Sequence, residues 1–233
     1  MKTYPLFAII AGKPCLVVGG GAVGERKVLD LLAAGAKVTV VSPDLTPKLA
    51  ELAARGEIRS LRRNFHPEQV DGMTLVIGAT DDPEVNRRVS AAAQSRGVFV
   101  NIVDAPELCT FIVPAQVRRG DLTVAISTGG ASPALAHRLK LELEDYFGAD
   151  YGVYLALLQA IRERLLACRR GHPDNAAIFR RLVDSPLRQA LRQGNREWLL
   201  SLLEEIVGGV LSPEILTELT ELALLPSGTA VNK

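Results

Sequence analysis

Short apolar runs alternate with segments in which apolar positions recur at helical spacing over the first part of the chain. The runs are Cys15 to Val18, Lys37 to Val41 (KVTVV), Ile58 to Leu61, Leu75 to Ala79 (LVIGA) and Phe99 to Val103 (FVNIV). Consecutive apolar and β-branched residues suit strands covered on both faces. Between them, Val23 to Ala34 places Val28, Leu29, Leu31 and Leu32 on one side and stops at Gly35. Thr46 to Arg55 starts with Thr46 as N-cap and Pro47 at the first helical position, and Pro83 to Arg96 starts behind Asp82 and stops at Gly97. These are helix start and stop signals. Strands alternating with helices predict an α/β fold with a parallel, doubly wound sheet. Such sheets bind ligands outside the carboxyl ends of their strands, where Gly21, Asp44, Thr80 and Asp104 all fall.

After Pro106 the pattern changes. Phe111 to Val113 and Leu122 to Ser127 (LTVAIS) read as short strands without a helix between them, joined across Arg118 to Asp121. Thr128-Gly129-Gly130-Ala131 then leads to Ser132 as N-cap and Pro133 at the first position of a helix ending near Phe147. The remainder predicts helices over Tyr151 to Arg169, Asn175 to Gln193, Glu197 to Val207 and Pro213 to Leu224, and a frayed tail over Pro226 to Lys233.

Composition narrows the function classes. A net charge of +1 gives no whole-molecule reason to expect nucleic acid or a membrane surface, and no apolar run approaches the ~20 residues of a membrane span. The first residues lack the h-region and cleavage site of a signal peptide. The cysteines Cys15, Cys109 and Cys168 are far apart, with no C-x-x-C. They indicate neither a disulfide framework nor a zinc site, so the expected compartment is the cytoplasm. Charge does segregate late in the chain. Arg162 to Arg196 holds nine arginines against three acids, and Glu197 to Leu225 six glutamates and no base. Without interleaved aromatics this reads as complementary helix pairing, within or between subunits, rather than nucleic-acid binding.

The candidate chemistry centres on Gly19, Gly21 and Gly24, which fit G-x-G-x-x-G with a strand before and a helix after. The glycines allow a tight turn, approach of a pyrophosphate to the backbone, and close packing of helix on strand. The pyrophosphate would meet the free N–H groups and positive end of the following helix. In NAD-binding folds an acid closing the second strand, about 20 residues on, holds the adenosine ribose. Here Ser42 and Pro43 occupy that place and Asp44 comes late. No arginine follows immediately to receive a 2′-phosphate, so the expected cofactor is NAD. Asp104, after the FVNIV strand, is either an acid/base group beside the nicotinamide or a turn carboxylate bonded to nearby backbone. Asn101 is either a ligand contact or a buried amide satisfied by backbone. The Gly129-Gly130 turn is either a second anion-receiving helix start or a plain strand–turn–helix junction. The histidines His66, His137 and His172 form no i, i+4 pair that would suggest a metal cage, and the metal ligands stay unassigned.

Four stretches taken together carry a resemblance: GGGAVGERK (Gly19 to Lys27), ATDDPEVN (Ala79 to Asn86), NIVDAP (Asn101 to Pro106) and FIVPAQVRRGDLTVAISTGGASPALA (Phe111 to Ala136). In this order and spacing they resemble the precorrin-2 dehydrogenase/sirohydrochlorin ferrochelatase family of sirohaem synthesis, from Met1 to about Phe147. The resemblance implies an NAD-binding Rossmann domain over residues 1–113, a small α+β dimerisation region over 114–149, an all-helical C-terminal domain over 150–225 and a tail over 226–233. It implies NAD-dependent oxidation of precorrin-2 to sirohydrochlorin, with ferrous iron insertion as a further activity, in a homodimer. The family's catalytic aspartate matches Asp104, and its dinucleotide contacts match Ala22, Val23, Pro43 and Asp44, beside Gly19, Gly21, Gly24 and Thr80. Asn101, Thr128, Gly129, Gly130 and Ser132 are the expected substrate contacts, with Thr128 standing where several members carry serine and His137 where some carry arginine. Arg118, Arg119 and Arg138 are further anchors for a substrate with eight carboxylates. No uroporphyrinogen methyltransferase activity is expected. Two other readings share the glycine loop: an NAD(H)-sensing regulatory module, which has no use for Asp104, and a different small-molecule dehydrogenase.

Overall fold

The computed structural model describes residues 2–225, so the tail expected over Pro226 to Lys233 lies outside the described residues. The chain separates into two compact units, one over Thr3–Val113 and one from Pro114 onward.

In the first unit, β1 (Pro14–Val18), α1 (Ala22–Ala33), β2 (Lys37–Val41), α2 (Pro47–Ala54) and β3 (Arg59–Leu61) follow in sequence. Then come β4 (Leu75–Gly78), α3 (Pro83–Gln94) and β5 (Phe99–Ile102). The sheet is parallel throughout, in the order β3-β2-β1-β4-β5. The chain therefore runs outward from β1 in one direction, then returns to its other side at β4. The gap between the carboxyl ends of β1 and β4 is the switch point at which such sheets open a crevice.

The apolar runs explain the sheet's central position. Side chains alternate across a strand, so Cys15 and Val17 of β1 join Val28, Leu31, Val40 and Leu49 on one face. Leu16 and Val18 join Val76, Val89 and Val100 on the other. Every β1 residue from Cys15 to Val18 is at most 2% exposed. The helix starts are capped as their sequences predict: Thr46 Oγ1 accepts from the Leu49 N–H (3.2 Å), and Asp82 Oδ1 from the N–H groups of Glu84 and Val85 (2.8 and 3.3 Å).

In the second unit, β6 (Ala115–Arg119) and β7 (Leu122–Ile126) form an antiparallel hairpin, followed by α4 (Pro133–Tyr146). Then come α5 (Asp150–Arg169), α6 (Asn175–Asp184), α7 (Leu187–Arg192), α8 (Arg196–Val207) and α9 (Pro213–Leu224). Two expectations need correction. Phe111 to Val113 is irregular, and the strand begins only at Ala115, because Pro114 has no N–H to donate to a ladder. The helix expected over Asn175 to Gln193 is two helices. Pro186 cannot donate and forces Ser185 out of the helical region (φ −79°, ψ 163°), so α6 ends at Asp184.

The helical bundle has its own core, in which Ile161, Leu165, Leu182, Leu187, Leu199 and Leu203 are fully buried. The segregated charges meet within the chain: Arg164 pairs with Glu218 (2.7 Å), Arg181 with Glu205 (3.8 Å) and Arg196 with Glu221 (3.4 Å). These pairs are exposed and each contributes under about 1 kcal/mol, so burial and not charge holds the bundle. Leu203→Ala is expected to lower stability by about 2–5 kcal/mol, read as a shift of the denaturant midpoint monitored through Trp198 on α8, whereas Arg181→Ala moves it by under about 1 kcal/mol.

Candidate active site

At the switch point the backbone makes a close approach that fixes the rest of the site. Gly19 has φ +115°, a conformation that L side chains rarely adopt, and a Cβ there would run into the Ala79 carbonyl. A Cβ on Gly20 would meet the Asp44 carbonyl, and one on Gly24 the Gly19 carbonyl. Gly21 is the exception: nothing lies within 4 Å of where its Cβ would stand. Three glycines are thus filled from behind by the protein's own backbone, and the fourth faces open space. That open edge belongs to a cleft of about 820 Å³ lined by residues 18–23, 41–43, 63–65 and 79–82, with Val85 and Arg88.

The cleft suits a dinucleotide. No side chain caps α1 at Gly21, which leaves the first N–H groups of the helix, at Ala22 and Val23, aimed at the opening. Unpaired helix N–H groups with a positive dipole end attract a pyrophosphate. The loop after β2 is tied to this turn twice. The Thr46 N–H donates to the Gly20 carbonyl (3.0 Å), and Thr46 Oγ1 donates to a Glu25 carboxylate oxygen (2.5 Å).

Of the expected cofactor residues, Gly19, Gly21, Ala22, Val23, Pro43 and Thr80 line the cleft. Gly24 instead packs behind the turn against Gly19. Asp44 is exposed and does not line the cleft; its backbone carbonyl is the part that touches the glycine loop. The sequence reading missed Arg63, Asn64, Phe65 and Arg88, which reach the cleft from beyond β3 and from α3. Sheet order brings the first three there, since β3 pairs with β2 through Val41↔Leu61, and Arg88 comes from α3 after β4.

Asp104 stands two residues beyond β5, as Thr80 stands two beyond β4, where Gly78 pairs with Ile102. It is exposed, and it is the one non-glycine residue with positive φ (60°) among the described residues. Cys109 clamps the turn that carries it. The Ile102 N–H donates to Cys109 Sγ (3.1 Å), and the thiol lies 3.3 Å from the carbonyls of both Ile102 and Ala105. Burial pushes the Cys109 thiol above its ordinary range, which keeps it a neutral donor. The half-buried Asn101 donates its amide N–H to the Phe111 carbonyl (3.1 Å) and approaches Cys109 Sγ (3.6 Å).

In the second unit, the Thr128 to Ser132 turn is closed by its own hydroxyls. Thr128 Oγ1 accepts from the Ser132 N–H (3.2 Å) and donates to the Ser132 carbonyl (3.1 Å), and Ser132 Oγ caps α4 at Leu135 (3.2 Å). Gly129 and Gly130 both have positive φ and carry the chain through this turn. Arg119, expected as a substrate anchor, is committed to the end of α4, donating to the carbonyls of Phe147 (2.7 Å) and Glu144 (2.9 Å). Arg138 pairs with Glu142 (2.8 Å), and His137 is exposed. Among the described residues no three His, Cys, Asp or Glu side chains form a group that could hold a metal ion, and no helix is long and apolar enough to cross a membrane.

Comparison with known proteins agrees with this geometry. Residues 6–115 match a family described as putative NAD(P)-binding, and residues 119–146 one described as the sirohaem biosynthesis protein central domain. A sirohaem synthase of Methylobacillus flagellatus is 54% identical over 163 residues, which cover 70% of this chain and 35% of that protein. One from Thioalkalivibrio sulfidiphilus is 42% identical over 205 residues, covering 88% of this chain and 42% of its own length. The chain spans less than half the length of these relatives. A solved structure of SirC, a precorrin-2 dehydrogenase, superposes with a TM-score of 0.73 at 28% identity, covering 87% of this chain and all of that one. The first unit is therefore an NAD(P)-binding Rossmann domain.

Gly21→Val is expected to fold and to lose dinucleotide binding, because its side chain enters the open edge of the cleft. Gly19→Ala, forced against the Ala79 carbonyl, is expected to lose both fold stability and binding. Calorimetric titration with NAD beside a thermal melt separates the two outcomes.

Proposed function

We propose that this chain, which belongs to the family of the sirohaem synthases and the precorrin-2 dehydrogenase SirC, catalyses NAD-dependent oxidation of precorrin-2 to sirohydrochlorin. The observation that carries this reading is a carboxylate held in a left-handed turn, at the same edge of the sheet as a dinucleotide cleft. Bound NAD supplies a hydride acceptor. In this reading Ala22 and Val23 N–H groups hold the pyrophosphate, Gly21 gives it room, and Pro43 borders the adenosine. Asp104 takes the proton that leaves as the hydride departs, so the substrate loses two hydrogens in all. Cys109 and the Asn101–Phe111 bond fix the Asp104 turn without touching the reacting atoms. Thr128, Gly129, Gly130 and Ser132 shape a turn whose Ala134 N–H, past the donorless Pro133, is left to meet a substrate carboxylate.

We extend the proposal to ferrous iron insertion into sirohydrochlorin, since the relatives are named for making sirohaem. Iron is a substrate there, and Asp104 is the group that would assist pyrrole deprotonation. The reaction belongs in the cytoplasm, where the free thiols Cys15, Cys109 and Cys168 stay reduced.

The protein acts as a homodimer in this reading, and a second copy covers α4 and the β6–β7 hairpin. None of the fourteen residues of α4 is buried, and Leu135, Leu141 and Tyr146 are 48%, 49% and 68% exposed. A two-stranded hairpin is marginal alone, so partner packing would supply the missing core. The three arginine–glutamate pairs among these charges close within the chain, so salt is expected to leave the dimer intact. Light scattering at 0.1 and 1 M salt should give a dimer in both, and Leu141→Glu a monomer; a wild-type monomer at micromolar concentration rejects the reading.

Asp104→Asn tests the reaction. General-base catalysis contributes ~10²–10⁴-fold, so turnover of precorrin-2, followed by NADH absorbance under anaerobic conditions, should fall by about that factor. NAD affinity should stay within twofold of wild type (about 0.4 kcal/mol). Full activity in this variant would return Asp104 to a turn-forming role. A wild-type protein that binds NAD and leaves precorrin-2 unchanged would favour the NAD(H)-sensing module.

A further inference from the structure

One wall of the cleft is held from inside the fold by a residue that does not line it. Asn86, in α3, is 8% exposed and bonds to the turn between β4 and α3, whose Thr80, Asp81 and Asp82 do line the cleft. Its amide closes on Thr80 twice. Asn86 Nδ2 donates to the Thr80 carbonyl (2.9 Å), and Thr80 Oγ1 donates to Asn86 Oδ1 (3.0 Å). A carbonyl can only accept, so the amide nitrogen must face it, and the amide oxygen is left for the hydroxyl. Thr80 Oγ1 also lies 3.1 Å from the Asp82 carbonyl, so its one proton is spent inside the turn. The amide has room because residue 78 is glycine: a Cβ there would stand 3.2 Å from Asn86 Oδ1 and 2.5 Å from Ile102 Cδ1.

The place of this turn matters because Thr80 follows the residue against which the glycine loop is pressed. The Ala79 N–H donates to the Val18 carbonyl (2.8 Å), and the Ala79 carbonyl stands where a Gly19 side chain would go. β4 ends at Gly78, so past Ala79 the Asn86 amide takes over from the ladder in fixing the chain. We propose that Asn86 is a positioning residue for the dinucleotide. It sets Thr80 and Asp81 at the spacing from the glycine loop that bound NAD requires, without touching NAD. Removing the amide leaves the Thr80 carbonyl and hydroxyl short of partners, and the wall shifts to satisfy them. The inference rests on the dinucleotide reading of the cleft and is independent of which substrate is oxidised.

Calorimetric titration of the full chain with NAD, below the melting temperature of every variant, tests it in Asn86→Ala, Thr80→Val and the double variant. Ser90→Ala is the reference: Ser90 is also buried in α3, donates to the Leu108 carbonyl (2.7 Å) and does not line the cleft. Asn86→Ala and Ser90→Ala should both melt lower. Only Asn86→Ala should weaken NAD, by about tenfold, roughly the worth of one buried hydrogen bond, while Ser90→Ala stays within twofold. Thr80→Val keeps the side-chain volume and breaks the clamp from its other end, so it should weaken NAD several-fold. The double variant should lose less than the product of the two single losses, because both remove the same clamp. NAD affinity within twofold of wild type in folded Asn86→Ala overturns the proposal, and so does a double variant whose loss equals that product. If Asn86→Ala does not fold, Thr80→Val decides, and an affinity within twofold of wild type there overturns it. Failure of the wild type to bind NAD overturns the dinucleotide reading itself, and the proposal with it.

Discussion

The structure of the first unit depends on backbone packed against backbone where β1 turns into α1. The Gly19 α-carbon sits against the Ala79 carbonyl, and the Gly24 α-carbon against the Gly19 carbonyl. No side chain fits in either gap. These contacts draw the ends of β1 and β4 together, start α1 at a fixed angle, and leave its first N–H groups uncovered. The cleft is a by-product of that compression. Where the strand order reverses no further strand fills the space, and the uncapped helix start supplies the binding chemistry.

The parts of the molecule differ in how far their sequence reveals them. Alternating apolar runs and helical stretches expose the strands and helices of the first unit, because burial on both faces leaves a continuous signature. The caps at Thr46, Asp82 and Ser132 read directly from one residue and its follower. Arg63 was invisible for a different reason. It lies far from the glycines along the chain, and it reaches the cleft only because β3 pairs outside β2. Sheet order is a tertiary fact with no local code. The break at Ser185-Pro186 was legible in principle, since proline excludes a helix interior, but the continuing amphipathic pattern of Leu182, Leu187 and Ala190 masks it.

The charge segregation of the C-terminal helices shows how a strong sequence signal can have a modest physical outcome. Nine arginines followed by six glutamates read as helix pairing within or between subunits, and the three pairs that form between them close between helices of the same chain on exposed surfaces. Screened by water they add little, while the leucines beneath them make the bundle. The unsatisfied surface is the quieter one: the apolar positions of α4 carry no unusual charge and no motif, and only their exposure in the folded chain marks them.

The positive φ of Asp104 sets stability and chemistry against each other. A left-handed conformation costs an L-residue about 1–2 kcal/mol relative to glycine, somewhat less for Asp and Asn, whose short polar side chains tolerate it. At this position the fold itself is better served by a residue with no side chain. Any search for thermostable variants of this chain, by selection for survival on heating or by optimisation of backbone fit, would therefore favour glycine at 104. It would return a protein that melts higher, packs identically and has lost its only carboxylate in that turn.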